Sequence, residues 1–215
     1  MIIAIDGPAG AGKSTVARRL AEELGLFFLD TGAMYRAVTL VVLERGVHPS
    51  DADGCTRIAR ELGLTFGPDG IEVDGRAGEP DVRSETVTRN VSAVSAHPGV
   101  REAIVEEQRR IAAARGGVVA EGRDTTTVVF PEADHKFFLE ASSAERARRR
   151  ALQEGTPERT AEIQADIERR DTLDTTRAHS PLVLAPGARR IDVGVQSADQ
   201  VVALLLRAIR EGARP

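Results

Sequence analysis

Hydrophobic positions along the chain fall into two patterns, short apolar runs and longer segments with helical spacing. The first apolar run, residues 2–5, leads through a glycine-rich turn into a segment with apolar residues at Val16 and Leu20. Apolar residues three to four positions apart predict an amphipathic helix, here over about residues 13–24. Gly25 suits the left-handed end of that helix. The chain therefore begins with a predicted strand, a loop and a helix.

The same alternation recurs through most of the sequence. Further strands are predicted at residues 26–29, 118–120, 135–139 and 190–193. Further helices are predicted after the second strand up to about residue 45, over residues 98–115 and over residues 197–211. Two more helices are predicted from their start signals. One follows a capping box at Ser142, and the other has Thr156 as N-cap and Pro157 at its first position. Five strands that alternate with helices predict an α/β fold with a parallel sheet.

Residues 51–96 have a different pattern. A short helix is predicted around residues 56–62, and alternating strands at 64–66 and 71–73 flank a turn with two glycines. Two short strands around such a turn indicate a β-hairpin. Because this stretch lies between α/β units, it is predicted to be an inserted α+β subdomain.

Composition narrows the class of protein. With 41% hydrophobic and 29% charged residues the chain is expected to be globular, and its net charge of −4 argues against a nucleic-acid-binding protein. Cys55 is the sole cysteine, which excludes a disulfide and a cysteine metal site and indicates a reducing compartment. No apolar run approaches the length of a membrane span. We therefore expect a cytoplasmic protein without a membrane partner.

The turn after the first strand carries a phosphate-binding motif. It matches G-x-x-x-x-G-K-[ST] with the residues Gly7, Pro8, Ala9, Gly10, Ala11, Gly12, Lys13, Ser14 and Thr15. Glycines let backbone N–H groups approach phosphate oxygens, and the helix N-terminus favours an anion. Lys13 is expected to reach the β- and γ-phosphates and Ser14 to ligate Mg²⁺. The motif predicts a nucleoside triphosphate site.

Two more polar clusters follow predicted strands, at residues 30–36 and 121–124. Ligands of open α/β sheets bind beyond the carboxyl ends of the strands, so these clusters and the phosphate loop are expected to meet at one edge. Arg36 can direct two N–H donors at a phosphate, although it could also be an ordinary solvated arginine. Arg123 and Asp124 could bind a ligand or simply pair with each other.

Other nucleotide-binding classes fit less well. Residues 51–54 match D-x-x-G by letters only, and the chain has no N-K-x-D motif, so a GTPase is excluded. A hydrolytic motor would need an acid at the end of a longer apolar strand, whereas Glu121 follows a predicted strand of three residues. The arginine-rich segment around Gly155 and Pro157 suits a lid over polyphosphate. These observations favour a small kinase.

Three blocks of sequence resemble bacterial cytidylate kinases. They are residues 5–15, residues 29–36 and residues 121–131, and the resemblance continues through residues 98–101 and 169–181. It implies the three-layer fold of P-loop NTPases, with a five-stranded parallel sheet. It also implies a kinase core of residues 1–50 and 97–215, an inserted NMP-binding subdomain of residues 51–96 and a short helical lid of about residues 151–162.

The resemblance further implies a reaction, its cofactors and its site. The protein would transfer the γ-phosphoryl group of ATP to CMP or dCMP, with Mg²⁺, in pyrimidine nucleotide metabolism. It would act as a monomer and bind no nucleic acid. Lys13, Arg123 and Arg170 would be catalytic, and Ser14 would ligate the metal. The implied substrate-binding residues are Thr31, Arg36, Ser92, Arg101, Arg123, Asp124, Arg170, Asp174 and Arg177.

Two departures from the family pattern and two alternatives accompany this interpretation. Glu121 replaces a frequent Asp, and Thr125 with Thr126 replaces a frequent apolar-Gly pair. The lid segment is short, so the arginine that reaches the transferring phosphoryl is not assigned. The alternatives are a P-loop kinase for UMP, AMP or shikimate and a nucleotide-switched binding protein without phosphotransfer.

Overall fold

The computed structural model describes residues 1–212. The chain forms two compact units, the first comprising Met1–Leu29 and the chain from Arg115 onward, the second Asp30–Ala114. Within residues 1–212 the strands are β1 (Ile2–Asp6), β2 (Phe27–Asp30), β3 (Leu64–Gly67), β4 (Gly70–Val73), β5 (Arg76–Ala77), β6 (Val118–Gly122), β7 (His135–Glu140) and β8 (Arg189–Asp192). The α-helices of that range are α1 (Lys13–Leu24), α2 (Thr31–Glu44), α3 (Ala52–Glu61), α4 (Glu85–Val94), α5 (Pro98–Arg115), α6 (Ser143–Glu154), α7 (Thr160–Thr176) and α8 (Ala198–Gly212).

The first unit is built on the main sheet, whose strand order is β2-β6-β1-β7-β8 among the described residues. β1 pairs in parallel with β6 and β7, and β7 pairs in parallel with β8. The first four residues of β1 are apolar, which is typical of a strand flanked by parallel neighbours and covered on both faces. The predicted five-stranded α/β sheet is confirmed.

Helices α1 and α8 cover the sheet through one apolar core. The core members are Ile3 and Ile5 of β1, Val16 and Leu20 of α1, Val119 of β6, Phe137 and Leu139 of β7, and Val202 and Leu205 of α8. The predicted bounds of α1 are confirmed, and Gly25 ends it in the left-handed conformation with φ 64°. Burial of the regularly spaced apolar face stabilises the helix against the sheet.

β6 is longer than predicted. Its pairing with β1 continues past Ala120, so that Glu121 lies opposite Ile5 and Gly122 lies opposite Asp6. The expectation that Glu121 follows a strand of three residues was wrong, because a polar residue at the end of a parallel strand can keep the ladder that the apolar residues began. Glu121 is therefore held by the sheet itself.

The helices after β7 agree with the sequence in part. Ser142 Oγ accepts a hydrogen bond from the Glu145 N–H at 3.2 Å, which confirms the predicted cap of α6. Thr156 has the N-cap position predicted for it, with Pro157 in the first turn. The helical element that follows is a 3₁₀ turn over Pro157–Arg159 that precedes α7, and the Thr156 hydroxyl makes no capping bond. Pro157 favours the start of a helical turn through its fixed φ, but the turn is 3₁₀ before it becomes α-helical.

The second unit contains an antiparallel sheet and helices α2 to α5. The predicted hairpin is present as β3 and β4, and β5 joins it as a two-residue strand that was not predicted. α3 starts earlier than expected because Asp51 accepts a hydrogen bond from the Gly54 N–H at 3.0 Å and caps it. The residues predicted as an insertion, 51–96, lie within this unit.

Helix α4 was missed in the sequence, although its signal is present there. Its buried residues Val87, Val91 and Val94 follow helical spacing, and Ser84 Oγ accepts from the Val87 N–H at 3.4 Å.

Among residues 1–212, none of the helices combines the length and the apolar character that crossing a membrane requires.

Candidate functional site

The phosphate loop joins β1 to α1 in a conformation that requires glycine. Gly7 has φ 154°, and a Cβ atom there would lie 2.1 Å from the Leu139 carbonyl oxygen. Gly12 has φ 78° and immediately precedes α1. The close approach at Gly7 and the left-handed backbone at Gly12 explain both glycines, and they leave the N-terminal N–H groups of α1 available to an anion.

Lys13 lies buried at the start of α1. Its Nζ donates a hydrogen bond to the Pro8 carbonyl oxygen at 2.9 Å, across the loop. Burial, together with the nearby charge of Arg123, lowers the pKa of Lys13 to about 7. A bound polyphosphate would favour the ammonium form by opposite charge. Lys13 is thus placed inside the loop that it was predicted to serve.

Ser14 and Glu121 form a pair that the sequence did not reveal. The Ser14 hydroxyl donates to Glu121 Oε1 at 2.7 Å. P-loop NTPases hold Mg²⁺ with the loop Ser or Thr and an acid from a neighbouring strand. Glu121 occupies that relationship to Ser14, because its strand β6 lies beside β1. The signal in the sequence is an apolar strand that continues into an acidic residue, Glu121.

Two side chains from α6 and α7 hold the backbone of Ala9. Arg146 Nη1 donates to the Ala9 carbonyl oxygen at 2.7 Å, and the Ala9 N–H donates to Asp171 Oδ1 at 3.2 Å. Arg146 and Asp171 also form an ion pair at 2.7 Å. Sequence reasoning missed both roles, since arginine is abundant in this region and neither residue lies near the loop in the sequence. The phosphate loop is therefore supported by the helices that flank the predicted lid.

The predicted residues Arg123, Asp124, Asp174 and Arg177 come together at the end of β6. Arg123 Nε donates to Asp174 Oδ2 at 2.7 Å. Arg177 lies 3.6 Å from Asp124 and 3.8 Å from Asp174, measured between charged nitrogen and oxygen atoms. The neighbouring Asp174 carboxylate raises the pKa of Arg123 against the opposing effect of burial. The cluster alternates basic and acidic groups, which is suited to a ligand with both a phosphate and hydroxyl groups.

Arg170 adds a buried positive charge to this cluster. It is 8% exposed, and burial and the charges of Arg123 and Arg150 lower its pKa. Its Nε is buried without a hydrogen-bond partner among residues 1–212. These charges repel that of Arg170, and a bound anion would offset the repulsion. The surroundings of Arg170 therefore favour a phosphate ligand.

The second unit holds the other predicted substrate-binding residues. Thr31 is buried at the start of α2, and Arg36 Nη1 donates to Thr88 Oγ1 at 2.9 Å and to the Val82 carbonyl oxygen at 3.2 Å. Arg36 is therefore not an ordinary solvated arginine. A salt bridge of 3.0 Å between Asp30 and Arg83 lies at the start of the same helix, and Arg83 was not predicted.

Ser92 and Arg101 approach each other through the end of α4. Arg101 is 4% exposed, its Nη1 donates to the Ser95 carbonyl oxygen at 3.1 Å, and its guanidinium lies 5.2 Å from the centre of the Tyr35 ring. Ser95 Oγ in turn donates to the Ser92 carbonyl oxygen at 3.3 Å. Arg101 thus contacts the C-terminal end of the helix that carries Ser92.

Comparison with known proteins identifies the family. A family model described as cytidylate kinase matches residues 3–211. The chain belongs to the cytidylate kinase family. It is 47% identical over 218 residues to the cytidylate kinase of Nocardia farcinica (strain IFM 10152), covering 98% of this chain and 94% of that protein. The predicted family and its nucleotide kinase function are confirmed.

A second relative is much longer than the chain described here. The chain is 49% identical over 220 residues to the bifunctional pantoate ligase/cytidylate kinase of Synechococcus sp. (strain CC9902), covering 98% of this chain and 45% of that protein. The chain therefore spans less than half of that bifunctional relative.

A gluconokinase structure from Sinorhizobium meliloti 1021 has a TM-score of 0.50 and 16% identity, with 97% of this chain and 91% of that chain covered. That likeness supports the fold alone.

Proposed function

We propose that this member of the cytidylate kinase family transfers the γ-phosphoryl group of ATP to CMP or dCMP, giving ADP and CDP or dCDP. The observation that carries the proposal is the phosphate loop with Lys13 buried inside it, beside the cluster of Arg123, Arg170 and Asp174. An oxygen of the acceptor phosphate attacks the γ-phosphorus, and the bond from that phosphorus to the β,γ-bridging oxygen breaks. Such a reaction depends on positioning and charge neutralisation more than on a general base.

The catalytic roles are assigned to basic residues. Lys13 neutralises charge on the β- and γ-phosphates. Backbone N–H groups of the phosphate loop, other than that of Ala9, which donates to Asp171, hold the same phosphates. Arg123 and Arg170 stabilise the charge of the transferring group, which burial strengthens by excluding water. The short distance between Arg123 and Asp174 supports this role, because the carboxylate keeps the guanidinium oriented before the substrate arrives.

Recognition of cytosine is assigned to Asp124 and Arg101. Cytosine carries an amino group that donates, and its N3 and O2 accept. The Asp124 carboxylate accepts from the amino group, while Arg101 donates to the acceptors. A site with buried polar groups rejects a ligand that leaves them unpaired, by up to about 10⁴-fold. The remaining proposed substrate-binding residues are Thr31, Arg36, Ser92, Asp174 and Arg177.

The proposed Mg²⁺ site consists of oxygen donors. The Ser14 hydroxyl and the Glu121 carboxylate are already in contact, and both are hard oxygen ligands of the kind Mg²⁺ prefers. Among residues 1–212 no group of three or more His, Cys, Asp or Glu side chains could form a metal cage. Mg²⁺ is generally bound through one or two carboxylates together with substrate phosphates. When bound, Mg²⁺ supplies positive charge to the phosphates.

The remaining proposals concern organisation and location. Residues 51–96 serve as the NMP-binding subdomain, and residues 151–162 serve as the lid over the core of 1–50 and 97–215. The protein acts as a monomer in the cytoplasm, on small-molecule substrates and without nucleic-acid or membrane partners. The single buried Cys55 and the net charge of −4 support the location and the absence of a nucleic-acid partner.

The test is ADP release from Mg-ATP with CMP, dCMP, UMP, AMP, GMP or shikimate as acceptor. We expect CMP and dCMP to be the best acceptors. Asp124→Ala should lower kcat/KM for CMP by about 100-fold while ATP affinity changes little, because the lost group is assigned to the acceptor and not to ATP. Asp69→Ala, in an exposed turn, is the matched control.

Each other outcome has a defined meaning. Preference for UMP, AMP or shikimate would retain a P-loop kinase and overturn the substrate assignment. Equal losses for CMP and ATP in Asp124→Ala would overturn the role of Asp124. Nucleotide binding without acceptor-dependent turnover would replace the kinase proposal with a nucleotide-switched binding protein.

A further inference from the structure

Asp6 is the last residue of β1 and is fully buried, yet the proposed mechanism gives it no role. Its Oδ1 accepts from the Thr125 N–H at 2.8 Å and from the Thr125 hydroxyl at 2.7 Å. Its Oδ2 accepts from the Thr126 N–H at 2.8 Å and from the Thr126 hydroxyl at 2.5 Å. Both oxygens of one buried carboxylate are thus bound, each by one amide and one hydroxyl.

This arrangement compensates the burial of a charge. Burial raises the pKa of Asp6, and the four hydrogen bonds oppose that shift. A buried carboxylate without partners would be strongly unfavourable, whereas one with several charge-assisted hydrogen bonds can persist. The two hydroxyls come from the positions where this chain departs from the frequent apolar-Gly pair. Such a pair cannot supply two side-chain donors.

The bound segment carries proposed substrate-binding residues. Thr125 directly follows Arg123 and Asp124, and residues Thr125–Val129 form a π-helical turn. The Asp124 carbonyl oxygen accepts from the Val128 and Val129 N–H groups at 2.9 and 3.2 Å. The segment is therefore fixed by β6 before Arg123, and by Asp6 together with the π-helical turn after Asp124.

Asp6 also directly precedes the phosphate loop. Gly7, the next residue, packs against the Leu139 carbonyl oxygen so closely that no side chain would fit. A single carboxylate consequently links the start of the loop for the donor phosphates to the segment that carries Arg123 and Asp124. A displacement of about 1 Å in such a segment can lower turnover by about 100-fold.

We infer that Asp6 and the hydroxyls of Thr125 and Thr126 are positioning groups that hold Arg123 and Asp124 in register with the phosphate loop. The inference rests on the proposed function, because it assigns the acceptor to those residues. The competing explanation is that the hydroxyls only satisfy a buried carboxylate and contribute to folding stability alone.

The test compares Thr125→Val/Thr126→Val with Thr125→Ser/Thr126→Ser. Valine keeps the shape and removes the hydroxyl, whereas serine keeps the hydroxyl and removes the methyl group. We expect the valine variant to lose about 10- to 100-fold in kcat/KM for CMP with KM for ATP within about two-fold of the parent. The serine variant should retain the parent kcat/KM. Thr39→Val is the control, a fully buried threonine whose hydroxyl bonds within α2.

Other results would overturn the inference. A valine variant with parental kcat/KM for CMP would show that the hydroxyls position nothing. Parallel losses in CMP use, ATP use and thermal stability, also seen in the serine variant, would leave a purely structural role. Should the double valine variant fail to fold, each single valine variant is assayed against its single serine counterpart with the same criteria.

Failure of the proposed function is distinguishable from failure of this inference. If the parent protein prefers another acceptor, the substrate assignment fails, and the same variants are assayed with that acceptor. The positioning role then stands or falls on whether the valine variant, and not the serine variant, loses kcat/KM for the acceptor alone.

Discussion

The hydroxyl of Ser14 donates a hydrogen bond to Glu121 at 2.7 Å, across 107 residues of sequence. Ser14 is the second residue of α1, and Glu121 lies in β6, which pairs with β1. The contact places an alcohol and a carboxylate side by side at the mouth of the phosphate loop. Both groups supply oxygen ligands of the kind that the proposed Mg²⁺ site would use.

Removing the carboxylate of Glu121 should weaken the use of Mg²⁺. We expect Glu121→Ala to raise the Mg²⁺ concentration for half-maximal activity by about 10- to 100-fold, as losses of supporting ligands do. Glu121→Asp, which restores the frequent family residue, should stay closer to the parent. Titration of Mg²⁺ at constant ATP measures the effect, with the exposed Glu132→Gln as control. An unchanged Mg²⁺ requirement in Glu121→Ala would contradict the role.

The ion pair of Arg146 and Asp171 should stabilise the fold through the phosphate loop. The Arg146 side chain is 6% exposed, so Arg146→Ala leaves Asp171 and the Ala9 carbonyl without their buried donor. Breaking a buried pair costs about 3 kcal/mol in the free energy of unfolding. Arg148→Ala removes an exposed pair on the same helix and should lower the free energy of unfolding far less. Urea denaturation of both variants tests the difference, and equal values would refute it.

Substitution of Gly7 should be far more damaging than substitution of a glycine with open space. Gly25→Ala meets no atom within 4 Å and only places alanine in the left-handed region, at about 1–2 kcal/mol. Gly7→Ala also places alanine at an unfavourable positive φ, and in addition it forces Cβ against the Leu139 carbonyl oxygen. We expect a larger drop in thermal stability, together with loss of ATP binding, for Gly7→Ala alone. Similar melting temperatures for the two variants would count against the steric explanation.

The stability of the fold should depend on the protonation of His135. Burial lowers the pKa of His135 below 6.5, and Arg189 lowers it further, against the effect of Asp134. The unfolded chain then binds a proton more readily than the folded chain, so the free energy of unfolding falls as pH falls through 6.5. His135→Gln should flatten this part of the pH profile. Urea denaturation at several pH values measures it, with the exposed His48→Gln as control.

The local elements of the fold were predictable because their signals lie close together in sequence. The helix from Lys13 to Leu24 is encoded by apolar spacing and ended by Gly25, and the cap at Ser142 requires only the N–H group three residues later. Thr156 shows the limit of such reasoning. Its sequence suits a cap, but the chain first forms a 3₁₀ turn at Pro157, and the Thr156 hydroxyl accepts no capping hydrogen bond.

The candidate site was predictable where one segment carries its own chemistry. Residues 7–15 are such a segment, and the blocks around Arg36 and Arg123 were singled out because they follow strands. Glu121 was undervalued because the length of β6 depends on its pairing with β1, which the residues of β6 do not reveal. Arg146 cannot be distinguished by sequence from Arg148 and Arg149. All three are arginines of the same helix, and only their contacts in the folded chain differ.

The sequence by itself determined the strand, phosphate loop and first helix, the order of the α/β units and membership of the cytidylate kinase family. Tertiary structure alone decided that Ser14 meets Glu121, that Arg146 and Asp171 hold Ala9, and that Asp6 binds the Thr125 and Thr126 segment. The reason is the range of the interactions. Helical spacing and capping act within a few residues, whereas a hydrogen bond near 3 Å between distant segments exists only after strand pairing and helix packing bring them together.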